Sequence, residues 1–317
     1  MKNFTSVYDV KNIDDLIAKA LKIKANPLSN KNIGNGKRIG LVFLNPSLRT
    51  RLSTQIAAKN LGLDSFVLNA SAESWQLEFG DDAIMNGTTV EHIKDAAPVL
   101  GKYFDILAVR TFAGLKNKTE DYEELILNKF IKYSGVPVIS LESATRHPLQ
   151  SLADLITISE LNKKNKPKIV LTWAPHIKAL PQAVANSFAE WINVWGKAEF
   201  VITHPKNYEL DEKFSGNAKI IYNQDEALDG ADFIYVKNWS AFKNYGEVLA
   251  SHENWMIDKK KIVKTNNAFI MHCLPTRRNI ELSEEILDSP SSIVTKQAEN
   301  RIYSAQTIIS EILEQNG

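Results

Sequence analysis

The sequence predicts an α/β fold with two doubly wound parallel-sheet domains. Short apolar segments rich in β-branched residues alternate with longer segments of helical periodicity. The short segments are apolar throughout, which is typical of parallel strands covered by helices on both faces. They are residues 38–44, 65–69, 105–110 and 136–141 in the first half, and 168–173, 199–205, 218–223, 231–237 and 268–275 in the second.

The helical segments between these strands carry apolar stripes. Leu149, Leu152, Leu155 and Ile156 follow the fourth strand at helical spacing, and a second stripe runs from Ile302 to Leu313. The polar stretch "LNKKNKPK" (161–168) after the first of these helices is interpreted as a solvated turn. We therefore place a domain boundary near residue 145, with domains at 1–145 and 146–297 and a last helix at 298–317.

Composition narrows the class of protein. A chain of 317 residues has room for two domains, and a net charge of +1 gives no support for a nucleic-acid or membrane partner. The single cysteine, Cys273, cannot form an intramolecular disulfide, and the first residues lack a long apolar run, so we expect a cytoplasmic protein. HExxH and CxxC motifs are absent, so we expect no metal site.

The stretch "NPSLRTRLST" (45–54) predicts an anion site. It follows a strand and opens a helix, where free backbone N–H groups and the positive end of the helix dipole attract anions. Ser47 and Thr50 add hydroxyls, and Arg49 adds a planar fork suited to phosphate. The alternative is that Ser47 is a plain helix cap beside solvated arginines. The glycines of a P-loop and of the dinucleotide-binding GxGxxG are missing, which disfavours a nucleotide-binding oxidoreductase.

Polar side chains also follow other strands or open helices. Arg110 ends the third strand, at the edge where open parallel sheets bind ligands. His147 and Gln150 open a helix in "TRHPLQS" (145–151), and Arg301 opens the last helix in "AENRIYSAQ" (298–306). Taken singly, each has an ordinary alternative: a surface arginine, a capping histidine, and a packed cysteine for Cys273 in "MHCLPTRRN" (271–279).

Taken together, "SLRTR", "HPLQ", "HCLP" and "AENR" resemble the aspartate/ornithine transcarbamoylase family, in order and over essentially the whole chain. The resemblance implies a carbamoyl-phosphate domain first and an amino-substrate domain second, with the C-terminal helix packing back on the first. It implies catalytic roles for Arg110, His147 and the backbone of Cys273. The implied carbamoyl-phosphate ligands are Ser47, Leu48, Arg49, Thr50, Trp75, Arg110, His147, Gln150, Cys273, Leu274 and Arg301.

In the implied reaction, which needs no cofactor, a neutral amine attacks the carbamoyl carbon and phosphate leaves. Arg110, His147 and Thr50 stabilise the developing oxyanion, and Gln150 helps to polarise the carbamoyl group. The backbone carbonyls of Cys273 and Leu274 receive the carbamoyl amide. The family forms homotrimers with shared active sites, so Trp75 would be supplied by a neighbouring subunit; its alternative is a core or interface aromatic.

The second domain resembles the branch of the family that acts on Nα-acylated ornithine. The "DxxxSMG" of ornithine enzymes and the "HPLPR" of aspartate enzymes are absent, while "TWAPH", "LPQAVANS" and "KNW" are present. This branch passes part of the second domain through a knot, which forms around a proline-containing loop that here matches about Lys178 to Ala185. The implied acyl-ornithine ligands are Val90, Glu142, His176, Lys178, Lys237 and Arg278. Surface salt bridges are the alternative for Lys237 and Arg278.

Two features favour succinylornithine over acetylornithine. Acetylornithine enzymes carry a glutamate in a loop donated by the neighbouring subunit, where this chain has Val90 in "NGTTVEHI". A carboxylate there would repel a succinyl carboxylate, whereas valine would not. Acetyl enzymes also carry a carboxylated lysine, assigned to the segment after "AENR", where this chain has Gln306 and Thr307. The expected activity is succinylornithine carbamoyl transfer; the alternatives are an acetylornithine enzyme, an ornithine enzyme, or a non-catalytic binding paralogue.

Overall fold

The computed structural model describes residues 1–70, 76–249 and 253–316, and the chain forms two compact units. The first comprises Met1–Leu149 and Arg301–Gly317, and the second Gln150–Asn300. The two boundaries between the units fall inside helices. They are α6 (Pro148–Leu161) and α12 (Val294–Asn316).

The first unit is built on a four-stranded parallel sheet. In spatial order its strands are β2 (Asp64–Asn69), β1 (Arg38–Phe43), β5 (Ile106–Arg110) and β6 (Val138–Glu142). Two short strands, β3 (Leu77–Glu78) and β4 (Glu91–His92), form a separate parallel pair. The helices are α1 (Ile13–Ala25), α2 (Leu48–Leu61), α3 (Ile93–Tyr103), α4 (Lys118–Tyr122) and α5 (Leu125–Tyr133), with a 3-10 helix at Val7–Asp9.

Sequence-local signals fix the ends of α2. Ser47 is its N-cap, and Gly62 closes it with φ 84°, a left-handed conformation that glycine adopts without steric cost. A Cβ at Gly62 would come within 2.3 Å of the Lys31 carbonyl oxygen, so a side chain would not fit there. Ser47 and Gly62 therefore define the two ends of α2.

The second unit is built on a five-stranded parallel sheet. In spatial order its strands are β11 (Phe269–Met271), β10 (Phe233–Lys237), β7 (Lys168–Trp173), β8 (Glu199–Thr203) and β9 (Lys219–Ile220). The helices are α7 (Ala183–Trp195), α8 (Glu212–Ser215), α9 (Gln224–Leu228), α10 (Lys259–Ile262) and α11 (Glu284–Leu287), with a 3-10 helix at Glu253–Trp255.

Each sheet is packed within its own apolar core. In the first unit Val42, Val109 and Phe130 lie in one buried cluster, and in the second Val170 and Ile234 lie in another. Fully buried strands of this kind are apolar on both faces, which is the pattern seen in the sequence.

The predicted fold class is confirmed, and all nine predicted strands are present. The short pair of β3 and β4 was not predicted, because a two-residue strand carries too little periodicity to detect. The knot implied for the second domain stays a prediction.

Candidate active site

Three neighbouring strands of the first unit end at the same edge of the sheet. The β1–β5 register pairs Phe43 with Arg110, and the β5–β6 register pairs Arg110 with Glu142 after a local shift. The Asn45 Oδ1 atom accepts a hydrogen bond from the Phe112 N–H at 2.8 Å, which ties the loop after β1 to the loop after β5. The start of α2 therefore lies beside Arg110.

The N-terminus of α2 carries a capping serine, Ser47, and an arginine, Arg49. Ser47 Oγ accepts a hydrogen bond from the Thr50 N–H at 3.3 Å, so Ser47 is an N-cap as the plainer interpretation held. Leu48 is exposed, whereas the Arg49 Nε atom is buried and no described residue accepts its hydrogen bond. A buried donor without a partner is costly, and an anion at the helix start would satisfy it.

Five buried side chains of the first unit form one connected cluster. Arg110 forms an ion pair with Glu142, and the His147 Nε2 atom lies 3.6 Å from Glu142 Oε2. The same Nε2 atom lies 3.5 Å from the Arg301 Nη2 atom, which also donates a hydrogen bond to Thr50 Oγ1. Two guanidinium groups against one carboxylate leave an excess of positive charge, so the cluster suits an anionic ligand.

The imidazole in this cluster is neutral at neutral pH. Burial, followed by the charges of Arg301 and Arg110, lowers the pKa of His147 well below its ordinary value. A neutral imidazole can donate one hydrogen bond to a reacting carbonyl oxygen without titrating near pH 7. His147 is therefore suited to assist in polarising a carbonyl rather than to act as a cation.

Glu124 supports the segment that carries His147, and sequence analysis missed it. Its carboxylate accepts hydrogen bonds from Ser143 Oγ at 2.6 Å, Thr145 N at 2.9 Å and Ala144 N at 3.1 Å. Glu124 has φ 54°, an unusual backbone conformation for a residue other than glycine. Its role depends on contacts about twenty residues away along the chain, so no local pattern reveals it.

A second group of polar side chains lies in the second unit. His176 follows β7, and its Nε2 atom accepts a hydrogen bond from Arg277 Nε at 3.1 Å. Burial, followed among the lowering effects by the charges of Lys237 and Arg277, lowers the pKa of His176. Lys237 ends β10, is buried and donates to the Asn238 carbonyl at 3.0 Å, and Lys178 is exposed. This group is basic, as a site for a carboxylate-bearing substrate should be.

The structure separates the two arginines that follow "HCLP". Arg277 contacts His176, whereas Arg278 forms a bidentate ion pair with Asp288 at 2.8 and 2.9 Å. The predicted ligand was Arg278, and here it takes up the surface salt bridge that was its alternative. The neighbouring Arg277, which sequence analysis did not select, is the arginine of the His176 group.

The loop after β11 is anchored by a buried histidine–glutamate pair. His272 Nε2 lies 3.3 Å from Glu281 Oε1, and His272 Nδ1 accepts from the Leu274 N–H at 2.9 Å. Burial opposes ionisation of Glu281, but the His272 hydrogen bond and charge and the Lys237 charge lower its pKa to about 2. Cys273 is buried in this loop. Gln150, at the start of α6, donates from Nε2 to Asp154 in the same unit.

Trp75 and Val90 are the two site residues expected from a neighbouring subunit. Trp75 lies outside the described residues. The Val90 side chain is 65% exposed, and its backbone N–H donates to the Gln76 carbonyl at 2.9 Å. The Val90 side chain is therefore held pointing away from the core of its own unit.

The positions after "AENR" are occupied by packing contacts. Gln306 donates to the Pro27 carbonyl at 2.6 Å and accepts from Asn60 Nδ2 at 3.0 Å, and Thr307 donates to the Tyr303 carbonyl at 2.7 Å. These contacts tie Gln306 and Thr307 to helix packing, and the comparison with the lysine of acetylornithine enzymes stays a prediction.

Within the described ranges, no cluster of three or more His, Cys, Asp or Glu side chains is arranged to hold a metal ion. In the same part of the chain, none of the helices is long and apolar enough to cross a membrane.

Models of known protein families match residues in both units. Residues 2–160 match the aspartate/ornithine carbamoyltransferase carbamoyl-P binding domain, and residues 181–312 match the aspartate/ornithine carbamoyltransferase Asp/Orn binding domain. The N-succinylornithine carbamoyltransferase of Bacteroides fragilis is 50% identical over 99% of both chains. The N-acetylornithine carbamoyltransferase of Xanthomonas axonopodis pv. citri is 34% identical over 100% of this chain and 98% of that one.

Solved structures show the same similarity. One is an N-acetyl-L-ornithine transcarbamylase variant, with valine in place of a glutamate, complexed with carbamyl phosphate and N-succinyl-L-norvaline. It superposes with a TM-score of 0.91 at 35% identity, covering 98% of this chain and all of that one. The matched models and relatives span nearly the whole chain, and the chain belongs to the aspartate/ornithine carbamoyltransferase family.

Proposed function

We propose that the chain transfers the carbamoyl group of carbamoyl phosphate to the side-chain amine of N2-succinyl-L-ornithine. The products are N-succinylcitrulline and phosphate, in arginine biosynthesis. The observation that carries the proposal is the buried cluster of Arg110, Glu142, His147, Arg301 and Thr50, set beside the N-terminus of α2. The 50% identity to an N-succinylornithine carbamoyltransferase over 99% of both chains supports the choice of substrate.

The first unit supplies the carbamoyl-phosphate domain. The N-terminus of α2 and the free Nε edge of Arg49 bind the phosphate, and Arg301 completes the anion site through Thr50. Arg110 and the neutral His147 can stabilise the negative charge that develops on the carbamoyl oxygen. Catalysis then depends on positioning and electrostatics, because a neutral amine attacks and phosphate itself can accept the proton.

The second unit supplies the acylated amino acid domain. The basic group of His176, Lys237 and Arg277 can bind carboxylates of the substrate, with Lys178 as an exposed further cation. Glu142 lies beside Arg110 in the first unit, where its carboxylate can accept a hydrogen bond from the attacking amine. Arg278 forms an ion pair with Asp288, and its role as a ligand of the acylated substrate stays a prediction.

Two other functions are alternatives to this one: carbamoyl transfer to acetylornithine, and a non-catalytic binding role. The 34% identity to acetylornithine enzymes makes acetylornithine the second candidate substrate. A non-catalytic paralogue is disfavoured, because a scaffold has no need to bury two arginines and a histidine around one carboxylate.

The direct test is citrulline-type product formation from carbamoyl phosphate with three amines at equal concentration. We expect kcat/KM for succinylornithine to exceed those for acetylornithine and ornithine. Higher activity with acetylornithine would overturn the choice of acyl group, and turnover of none of the three would favour the paralogue.

We further propose a homotrimer with shared active sites, in which a neighbouring subunit supplies Val90 and Trp75. An apolar stripe on α2 supports an interface: Leu48, Leu52 and Ile56 recur every four residues and are 70%, 49% and 43% exposed. A cytoplasmic location stays a prediction, carried by the single cysteine.

Replacing Ile56 by glutamate should dissociate the trimer, because a charge in an apolar interface core is poorly tolerated. Size-exclusion chromatography with light scattering should show a fall in mass together with a loss of activity. Val263→Glu is the control, since Val263 is 76% exposed in the second unit and its variant should keep the native mass. A fully active Ile56→Glu trimer, or a native monomer with full activity, would contradict the proposal.

A further inference from the structure

A cavity of about 260 Å³ lies at the edge of the first sheet where its strands begin. It is lined by residues at the start of β1 and β5, by residues before β6, by the end of α3 and by the C-terminal part of α12. All of these residues belong to the first unit. Arg110 lies at the other end of β5, about 13 Å away along the strand. The cavity is therefore separate from the buried cluster around Arg110.

Part of the lining is apolar. Ile312 and Leu313 of α12 are buried, and Val136 is half-buried before β6. Phe104 can lie against β1 because residue 40 is a glycine: a Cβ on Gly40 would come within 2.6 Å of the Phe104 ring. Apolar walls of this kind favour a ligand that carries hydrocarbon groups.

Three basic side chains complete the lining: Lys37 is half-buried, and Arg38 and Lys102 are exposed. Within the described ranges, none of these three side chains forms an ion pair or a hydrogen bond. The one carboxylate that lines the cavity in the described part of the chain is that of Asp105, whose Oδ2 atom accepts the Arg38 N–H at 2.8 Å. Three cations against one carboxylate leave an excess of positive charge.

Helix stability explains only one of these cations. Lys102 lies in the last turn of α3, where a cation interacts favourably with the negative end of the helix dipole. Lys37 and Arg38 lie at the start of a strand and have no helix end of their own to stabilise. Their position beside an apolar cavity is better suited to an anionic ligand.

We propose that this cavity binds a small organic anion, in which a phosphate or carboxylate group is joined to an apolar body. The anionic group interacts with Lys37, Arg38 and Lys102, and the apolar body packs against Phe104 and Val136. The volume lies just below the range of about 300–1,000 Å³ that is usual for pockets that bind drug-sized ligands, so the ligand is small. This site does not depend on the proposed carbamoyl transfer.

The test is isothermal titration calorimetry of the unchanged chain with four probes. Phenylphosphonate and benzoate join an anionic group to an aromatic ring, benzamide keeps the ring without the charge, and inorganic phosphate keeps a charge without the ring. We expect binding of at least one of the two aromatic anions in the cavity. Tighter binding of phenylphosphonate would indicate a phosphorylated ligand, and tighter binding of benzoate a carboxylate.

The cluster around Arg110 can also bind anions, so variants identify which binding belongs to the cavity. Lys37→Gln with Lys102→Gln removes two charges without breaking an interaction within the described ranges, and Val136→Phe fills the apolar part of the cavity. We expect each variant to raise Kd for the aromatic anion at least about tenfold. Lys59→Gln with Lys116→Gln is the matched control, since both lysines are exposed and neither lines the cavity. Its Kd should change less than about twofold.

The charge variant decides the question alone if Val136→Phe does not fold, as checked by circular dichroism. An unchanged Kd in the charge variant, or an equal rise in the matched control, would place the binding elsewhere and overturn the proposal. Benzamide or inorganic phosphate bound in the cavity as tightly as the aromatic anions would show that charge or the apolar wall is not used. Absence of binding by either aromatic anion would equally overturn the proposal, and Lys102 would then only stabilise the end of α3.

Discussion

Replacing Val90 by glutamate should shift the preference of the chain from succinylornithine toward acetylornithine. We expect kcat/KM for succinylornithine to fall about 100-fold or more, because two like charges about 4 Å apart repel strongly near a protein surface. The uncharged acetyl group meets no such repulsion, so acetylornithine use should improve. Steady-state kinetics with both substrates at saturating carbamoyl phosphate measure the change.

The position of Val90 makes this substitution informative. Its side chain is 65% exposed, and only its backbone is held, by the Gln76 carbonyl. A change of side chain should therefore leave the fold intact. A relative solved with N-succinyl-L-norvaline carries the opposite replacement, valine for a glutamate. That relative therefore binds N-succinyl-L-norvaline with a valine in place of its glutamate.

Val90→Gln is the matched control, since glutamine has nearly the size of glutamate without its charge. It should lower succinylornithine use far less than glutamate does. Equal effects of the two variants would mean that size, not charge, sets the selectivity. Unchanged selectivity in both would place the acyl group elsewhere.

The motif residues could be predicted because their positions follow from the fold. Parallel strands end at one edge of their sheet, so Arg110 and the helix start at Ser47 were bound to be neighbours once the strands were recognised. The apolar strand segments made that recognition straightforward. The strand order and the partner of each side chain then required the three-dimensional structure.

The missed residues depend on contacts that a linear pattern does not contain. Arg277 and Arg278 are adjacent and chemically identical, and only the path of the loop decides which of them contacts His176. Glu124 acts on a segment far from it in sequence. The hydrogen bond from Gln150 to Asp154, in contrast, could have been predicted, because the two residues are four positions apart on one helix face.

The second large effect is expected on substrate binding, when Arg277 is replaced. Arg277→Ala should raise KM for succinylornithine about 10- to 100-fold with little change in KM for carbamoyl phosphate, because it removes a charged hydrogen-bond donor from the His176 group. Initial rates over a range of each substrate separate the two constants. The loss should appear with succinylornithine and acetylornithine alike if Arg277 binds the amino-acid carboxylate, and with succinylornithine alone if it binds the succinyl group.

Arg278→Ala is the control that the chain itself offers. It removes the same charge one residue later, but its guanidinium is exposed and paired with Asp288, so we expect less than about a fivefold change in either KM. The reverse result, a large effect at Arg278 and none at Arg277, would mean that the loop rearranges when substrate binds. In that case the ion pair with Asp288 would compete with substrate binding by Arg278. Asp288→Asn should then lower KM for the acylated substrate, because it frees Arg278.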